Sequence, residues 1–97
     1  MKTFYVYILK CSDNTFYTGM TSNLTRRLFQ HKTGFYKDSY TFKRRPVELV
    51  YFCEFTELNF ALEKERQIKK WSQKKKLCLI NGEYEKLPNL AKKRFKR

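Results

Sequence analysis

Hydrophobic and aromatic residues alternate with polar residues along the first part of the chain. Residues 3–10, TFYVYILK, are β-branched and aromatic in a near-alternating pattern that is typical of a strand. Asp13 and Asn14, which favour tight turns, come next, and FYTGM at residues 16–20 resumes the pattern as a shorter strand. These two segments predict a β-hairpin.

A helical period begins after the hairpin. Thr21 or Ser22 is predicted to cap a helix that runs to about His31, and Gly34 is expected to end it. The polar and basic segment that follows, residues 34–45, is predicted to be a loop. The first half of the chain is therefore expected to be a hairpin, one helix and one long loop.

A third strand and two further helices complete the pattern. Residues 46–55, PVELVYFCEF, predict a strand that is apolar on both faces. Thr56 is predicted to cap a helix over residues 57–71, and Ser72 to cap a shorter helix over residues 73–80. The resulting order, β-β-α-β-α-α, predicts an α+β domain in which helices flank a small, three-stranded, largely antiparallel sheet.

The length of the chain suits one domain with one modest core. We assign residues 1–82 to that domain and residues 83–97 to a basic carboxy-terminal tail. No membrane span and no cleavable signal peptide are predicted, and the three widely spaced cysteines suit reduced thiols in a cytoplasmic protein. A zinc site formed by these cysteines with His31 is less favoured than buried thiols.

The charge balance points to a polyanionic partner. The 22 lysine and arginine residues exceed the 9 acidic residues and give a net charge of +13. A small domain with this charge gains affinity for a polyanion through the release of counterions. Nucleic acid is the first candidate partner. An anionic membrane surface is the second, but the chain lacks the basic amphipathic helix with a broad apolar face that such a surface requires.

Two charged residues lie on helix faces that are predicted to point to the core. Arg27 shares a face with Leu24, Leu28 and His31, and the glutamate of the next helix, Glu65, shares one with apolar neighbours, namely Leu58, Ala61, Leu62 and Ile68. A buried charge is costly unless it is paired or has a function. Either Arg27 and Glu65 pair with each other beneath the sheet, or both belong to a functional site.

Tyrosines of the predicted hairpin lie just ahead of this arginine. If the hairpin loop has an odd number of residues, Tyr7 and Tyr17 fall on the same face of the sheet, whereas Tyr5 is expected to serve packing. A phenol beside a guanidinium and a metal-bound carboxylate is expected to have a lowered pKa and to act as a general base.

An ordered set of motifs resembles the GIY-YIG nuclease domain. YVY at residues 5–7 and YTG at residues 17–19 are followed by Arg27, by His31 four residues later, and by Glu65 within ALEKERQIKKW. The chain is most similar in these features to small stand-alone members related to the incision domain of the bacterial excision-repair nuclease. It departs from the family in its first motif, which begins with tyrosine rather than glycine. Met20 also stands where some members have a lysine, whose role another base must then supply.

The resemblance implies a metal-dependent DNA endonuclease, and it is compatible with selection of DNA by structure and with a link to DNA repair or recombination. It implies one divalent metal ion, Mg²⁺ or Mn²⁺, held by Glu65, and an arginine, Arg27, that contacts the scissile phosphate. Tyr17 is the expected general base, with Tyr7 hydrogen-bonded nearby or sharing the role. His31 is expected to orient water or the tyrosines, or to act as the base itself.

The remaining basic residues are expected to contact the nucleic-acid backbone without reading its sequence. They are Lys43, Arg44, Arg45, Lys69, Lys70, Lys74, Lys75 and Lys76. Tyr36, Tyr40 and Phe42 either stack on unpaired bases or pack over the sheet. Because the chain carries no added DNA-recognition domain, target choice is expected to come from DNA shape or from a protein partner. The alternative function is a non-catalytic nucleic-acid-binding protein on the same fold.

Overall fold

The computed structural model describes residues 2–83, which form a three-stranded antiparallel sheet with three helices. The sheet has the order β2-β1-β3, and its strands are β1 (Phe4–Lys10), β2 (Phe16–Thr21) and β3 (Glu48–Phe55). The helices are α1 (Leu24–Thr33), α2 (Leu58–Lys69) and α3 (Gln73–Ile80), and a single 3₁₀ turn covers Phe42–Arg44. The predicted α+β class and element order are confirmed. Nearly all of the predicted basic tail, from residue 84 onward, lies outside the described residues.

The hairpin of β1 and β2 sets which tyrosines share a face. Asn14 adopts the left-handed conformation with φ of 66°, and the Asp13 carboxylate accepts the backbone N–H two residues on, at 3.2 Å. The five residues of the loop, an odd number, bring Tyr7 opposite Gly19 and leave Tyr17 on the same face as Tyr7. The prediction from loop length is therefore confirmed.

The helices cover opposite faces of the sheet. One face packs against α2 and α3 through a buried cluster of Val6, Ile8, Ala61, Ile68 and Leu79. The other face packs against α1 through Tyr7, Leu9, Leu24 and Leu28, together with Cys11 and Val47. Any side chain of α1 that points to the sheet therefore contacts the face that carries Tyr7 and Tyr17. A side chain of α2 approaches the sheet from the other face, beside β1 and β2.

The caps of α1 differ in part from the prediction. Neither Thr21 nor Ser22 caps the helix. The Asn23 carboxamide oxygen does so by accepting the backbone N–H three residues on, at 3.0 Å. The Thr21 hydroxyl does not bond to the N–H groups of the helix, because it accepts the N–H of Asn23 at 3.1 Å. Gly34 ends the helix as predicted, in the left-handed conformation with φ of 75°.

The third strand is an edge strand, and the prediction that it is apolar on both faces is wrong. It begins at Glu48 rather than at residue 46, and among residues 2–83 it pairs only with β1. Phe52 and Glu54 are exposed, the first to 47% of its surface. The sequence of the strand is apolar because it contains several aromatic residues, but in the structure helices cover only part of its surface.

The second helix is shorter than predicted. Glu57, not Thr56, is its N-cap residue, and the helix ends at Lys69 rather than at residue 71. Ala61 is buried as expected, whereas Leu58 in the first turn is 43% exposed and lies outside the core. The third helix matches its predicted bounds, and the Ser72 hydroxyl caps it as expected by accepting a backbone N–H at 3.2 Å.

Candidate active site

The only histidine of the chain contacts a buried tyrosine of the central strand. The Tyr7 hydroxyl lies 2.9 Å from Nε2 of His31, and the two side chains are 1% and 4% exposed. On the other side of the ring, Nδ1 lies 2.9 Å from the Thr41 hydroxyl, which is 3.1 Å from the hydroxyl of Ser39. A continuous chain of hydrogen bonds therefore runs from β1 through α1 into the loop that follows.

The glycine of the YTG motif makes room for this tyrosine. A β-carbon placed on Gly19 would lie 2.5 Å from the Tyr7 hydroxyl oxygen and 2.6 Å from its Cζ atom. The same β-carbon would lie 3.1 Å from a ring carbon of Tyr17. Real side chains do not approach a β-carbon this closely, so the ring of Tyr7 lies across β2 only because residue 19 has no side chain.

Burial dominates the acid-base properties of the Tyr7 phenol. Its pKa is raised above the ordinary value, first by burial and then by the nearby phenol of Tyr17, with a smaller contribution from the charge of Glu65. Arg27 opposes this as a hydrogen-bond donor and through its charge. The direction is opposite to the predicted lowering, because burial penalises the phenolate more than the guanidinium stabilises it.

The imidazole of His31 is held in its neutral form. Burial lowers its pKa below the ordinary value, and the positive charge of Arg27 lowers it further. A neutral imidazole has one N–H donor and one acceptor nitrogen, so it can link a donor and an acceptor in a chain. The ring is therefore suited to accept a hydrogen bond at one nitrogen and to donate one at the other, rather than to supply a positive charge.

Arg27 and Glu65 do not pair with each other within residues 2–83. The Glu65 carboxylate forms its ion pair with Lys69 of the same helix, at 3.1 Å, and its side chain is 19% exposed. Arg27 is half-buried, and its guanidinium carbon lies 5.8 Å from the centre of the Tyr36 ring. The buried pair that would explain both charges structurally is absent from this part of the chain, although both charges act on the hydroxyl of Tyr7.

An open groove lies beside these side chains. It has a volume of about 660 Å³, and its walls come from β2, from α1 and from the loop after α1. The lining residues are Tyr17, Arg27, His31 and residues 35–39. The Tyr17 ring lies 5.3 Å from the His31 ring and stacks on Tyr40 at 6.1 Å. Three of the five predicted catalytic residues, Tyr17, Arg27 and His31, therefore line one groove. Tyr7 is buried and hydrogen-bonded to His31, and the charge of Glu65 acts on the Tyr7 hydroxyl.

The described residues contain no preformed cage for a metal ion. Within residues 2–83, no group of three or more histidine, cysteine, aspartate or glutamate side chains is close enough to hold one. Cys11 and Cys78 are buried free thiols and Cys53 is a half-buried one, in agreement with the preferred prediction over a zinc site. Glu65 alone fits a magnesium-type ion, because such an ion commonly takes one or two carboxylates and completes its shell with water and substrate oxygens.

Two of the three basic loop residues predicted to contact nucleic acid interact instead with other residues of the protein. Arg44 forms an ion pair with Asp13 at 3.0 Å and lies 3.8 Å above the Tyr40 ring. Arg45 lies 4.5 Å above the Phe42 ring. Tyr40 and Phe42, two of the three loop aromatics considered for base stacking, therefore stack on arginines of the same loop. These contacts also order the loop that forms the groove wall.

The predicted lysine contacts form a basic surface around the end of α2 and the start of α3. Lys70 and Lys74 are exposed, and Lys75 lies 5.2 Å from the centre of the Trp71 ring. The pKa of Lys76 is lowered by burial and by the charge of Lys69. Lys69 also pairs with Glu65, so this surface adjoins the candidate metal-binding carboxylate.

The sequence is similar to that of a known catalytic domain and to several small proteins. The sequence model of the GIY-YIG catalytic domain matches residues 3–77 of this chain. A UPF0213 protein of Syntrophus aciditrophicus (strain SB) is 48% identical over 83 residues, which cover 86% of this chain and 95% of that protein. A UPF0213 protein of Staphylococcus saprophyticus is 42% identical and covers 84% of this chain and 98% of its own length.

Solved structures resemble this one over most of its length. The solution NMR structure of a UPF0213 protein from Bacillus halodurans is 37% identical and superposes with a TM-score of 0.54, covering 81% of this chain and 83% of that one. The solution NMR structure of a protein from E. faecalis is 33% identical and gives a TM-score of 0.60, with coverages of 87% and 88%. All five predicted catalytic residues lie inside the range that the catalytic-domain model matches.

Proposed function

Because this chain belongs to the GIY-YIG catalytic domain family, we propose that it is an endonuclease that hydrolyses phosphodiester bonds in DNA with one divalent metal ion. One observation carries the proposal. Arg27 and Glu65 are both half-buried, neither neutralises the other, and both act on the hydroxyl of Tyr7. Folding alone gives no reason to retain these two charges without pairing them with each other, whereas phosphate hydrolysis uses both.

Glu65 is the residue that would hold Mg²⁺ or Mn²⁺, and Lys69 would have to release it. The bound ion would neutralise charge on the phosphoryl oxygens of the substrate. A single carboxylate gives weak binding by itself, so DNA phosphate oxygens would complete the site. Metal and DNA are therefore expected to bind cooperatively.

Arg27 is the phosphate-binding residue of the proposal. Its guanidinium lines the groove beside Tyr17 and His31, where a planar set of donors fits two phosphate oxygens at once. On the interior side of the groove, the charge of the guanidinium acts on the hydroxyl of Tyr7. The donors that face the groove remain available for the substrate.

Tyr17 is the tyrosine that can contact the attacking water. It is half-buried and lines the groove, whereas Tyr7 is 1% exposed and its hydroxyl is hydrogen-bonded to His31. We therefore retain Tyr17 as the general base and assign Tyr7 and His31 to a buried network that orients Arg27 and the Tyr17 ring.

The basic surface supplies affinity without sequence readout. Lysines at the junction of α2 and α3 add phosphate contacts next to the carboxylate, and selection of branched or nicked DNA during repair would come from shape or from a protein partner. Within residues 2–83, no helix is long and apolar enough to cross a membrane. The proposed site of action is the cytoplasm, where DNA and millimolar magnesium are both available.

A cleavage assay on matched glutamate variants tests the proposal. The full chain is incubated with duplex, nicked, branched and single-stranded DNA and with RNA, each with Mg²⁺, Mn²⁺ or a chelator. Glu65→Gln is expected to lower metal-dependent cleavage on the order of 100-fold or more. Glu63→Gln, which removes an equal charge from an exposed position of the same helix, should leave cleavage unchanged. A parent protein that binds these nucleic acids and cuts none of them would instead support the non-catalytic binding function.

A further inference from the structure

Thr41 is buried in a loop whose other side chains are largely exposed. It is 1% exposed, while the aromatic side chains before it, Phe35, Tyr36 and Tyr40, are exposed to between 39% and 64%. A hydroxyl loses solvation on burial unless it is hydrogen-bonded, and Thr41 recovers this through His31 and Ser39. The loop therefore places a hydroxyl group, rather than an apolar one, against the imidazole.

The direction of the hydrogen bonds from Tyr7 to Ser39 follows from the charge beside the Tyr7 hydroxyl. The positive charge of Arg27 acts on the Tyr7 hydroxyl, which favours an orientation in which the oxygen lone pairs face the guanidinium and the proton points away from it. Nε2 of His31, at 2.9 Å, is the acceptor within hydrogen-bond distance of that proton. The neutral ring then carries its proton on Nδ1 and donates it to the Thr41 oxygen at 2.9 Å. Thr41 in turn donates to the hydroxyl of Ser39 at 3.1 Å.

The opposite arrangement leaves one proton without an acceptor. If the ring carried its proton on Nε2, that N–H would point at the Tyr7 oxygen, on which the positive charge of Arg27 also acts. The hydroxyl proton of Tyr7 would then lack an acceptor among the contacts of the described residues. A buried donor without an acceptor costs free energy, so the arrangement with the proton on Nδ1 is the stable one.

We propose that Thr41 is a positioning residue whose hydroxyl accepts the Nδ1 proton of His31 and so stabilises the tautomer that the Tyr7 end of the hydrogen-bond chain favours. By doing so it keeps Nε2 free to accept the proton of Tyr7 and leaves the lone pairs of the Tyr7 oxygen to face the charge of Arg27. The contribution of Thr41 to catalysis rests on the proposed nuclease function, whereas the tautomer of His31 does not depend on it. In functional histidines generally, the hydrogen bond made by one ring nitrogen sets which of the two nitrogens carries the proton.

The tautomer is directly measurable, because His31 is the only histidine of the chain. A long-range ¹H–¹⁵N correlation spectrum of the tag-free, ¹⁵N-labelled full chain shows one imidazole and distinguishes the protonated from the unprotonated ring nitrogen. We expect Nδ1 to be protonated in the parent and in Thr41→Ser, which keeps the hydroxyl. In Thr41→Val, which keeps the shape and removes the acceptor, the Nδ1–H form should cease to be the major one.

The parent spectrum alone can overturn the proposal, even if Thr41→Val fails to fold. A ring protonated on Nε2 in the parent contradicts it, and so does an unchanged Nδ1–H ring in a folded Thr41→Val. Single-turnover cleavage provides the second readout. Loss of Thr41 should lower the rate of the chemical step on the order of tenfold with DNA affinity unchanged, and Thr41→Ser should restore it. If the parent cuts no DNA, the nuclease function fails while the tautomer result still stands.

Discussion

The hydroxyl of Tyr7 occupies the space that a side chain on Gly19 would need. The β-carbon of any residue there would lie 2.5 Å from the Tyr7 oxygen. Tyr7 cannot move aside freely, because its hydroxyl is held by His31 at 2.9 Å and the side chain is 1% exposed. The two tyrosine-containing motifs of the sequence are therefore coupled by packing as well as by chemistry.

Gly19→Ala should destabilise the protein through this contact. Forcing a methyl group into a packed site typically costs about 1–3 kcal/mol of unfolding free energy. Chemical denaturation of Gly19→Ala, Tyr7→Phe and the double variant measures the coupling. Since Tyr7→Phe removes the nearest clashing atom, the double variant should lose less stability than the sum of the two single variants. Strictly additive losses would show that the two residues do not press on each other.

Glu65→Gln should change stability very little. The carboxylate pairs with Lys69 four residues away on the same helix, at a position where the lysine side chain is 53% exposed. Such a pair contributes about 0.3–0.5 kcal/mol. Loss of a partner from a buried pair with Arg27 would instead cost about 3–5 kcal/mol. Urea unfolding of Glu65→Gln beside Glu63→Gln distinguishes the two, and a loss in the larger range would restore the purely structural role of Glu65.

The sequence predicts the parts of this site that depend on period and register. The 3.6-residue repeat is sufficient to predict that Arg27 faces the sheet, and the odd loop length is sufficient to predict that Tyr7 and Tyr17 share a face. Thr41 could not be found in the same way, because a loop has no repeat from which burial can be predicted. The direction of the Tyr7 pKa shift was also missed, since it depends on the depth of burial rather than on the identity of the neighbours.

The helix cap was missed for a different reason. Thr21, Ser22 and Asn23 are consecutive and all are good capping residues, so local preference does not select among them. The choice is made by a second hydrogen bond, in which the Thr21 hydroxyl accepts the N–H of Asn23. Competition between neighbouring local contacts, which residue type alone does not resolve, decides where the helix begins.

Lys69→Met should strengthen metal binding in the absence of DNA. Lys69 occupies one oxygen of Glu65 at 3.1 Å, so an incoming cation must displace it. Removing a pair of this strength should raise Mn²⁺ affinity roughly twofold, as measured by the electron paramagnetic resonance signal of free Mn²⁺. Lys70→Met is the matched control, because it removes an adjacent exposed charge that does not pair with Glu65. Equal affinities for both variants would show that Lys69 does not compete with the metal ion.

Stability should decrease as the pH falls through the range in which histidine titrates. The pKa of His31 is lowered in the folded state by burial and by Arg27, so the unfolded chain binds the proton more tightly. The contribution of the neutral ring is complete above the unfolded value of about 6.5 and is lost as the pH falls toward the lowered folded value. No other histidine contributes to the change in stability over this pH range, because the chain has only one. Urea unfolding from pH 7.5 to 5.5 should therefore show a falling free energy for the parent and a flatter profile for His31→Gln. A parent whose stability rises on acidification in this window would mean that His31 is charged in the folded protein, and the neutral hydrogen-bonded chain from Tyr7 to Thr41 would then be wrong.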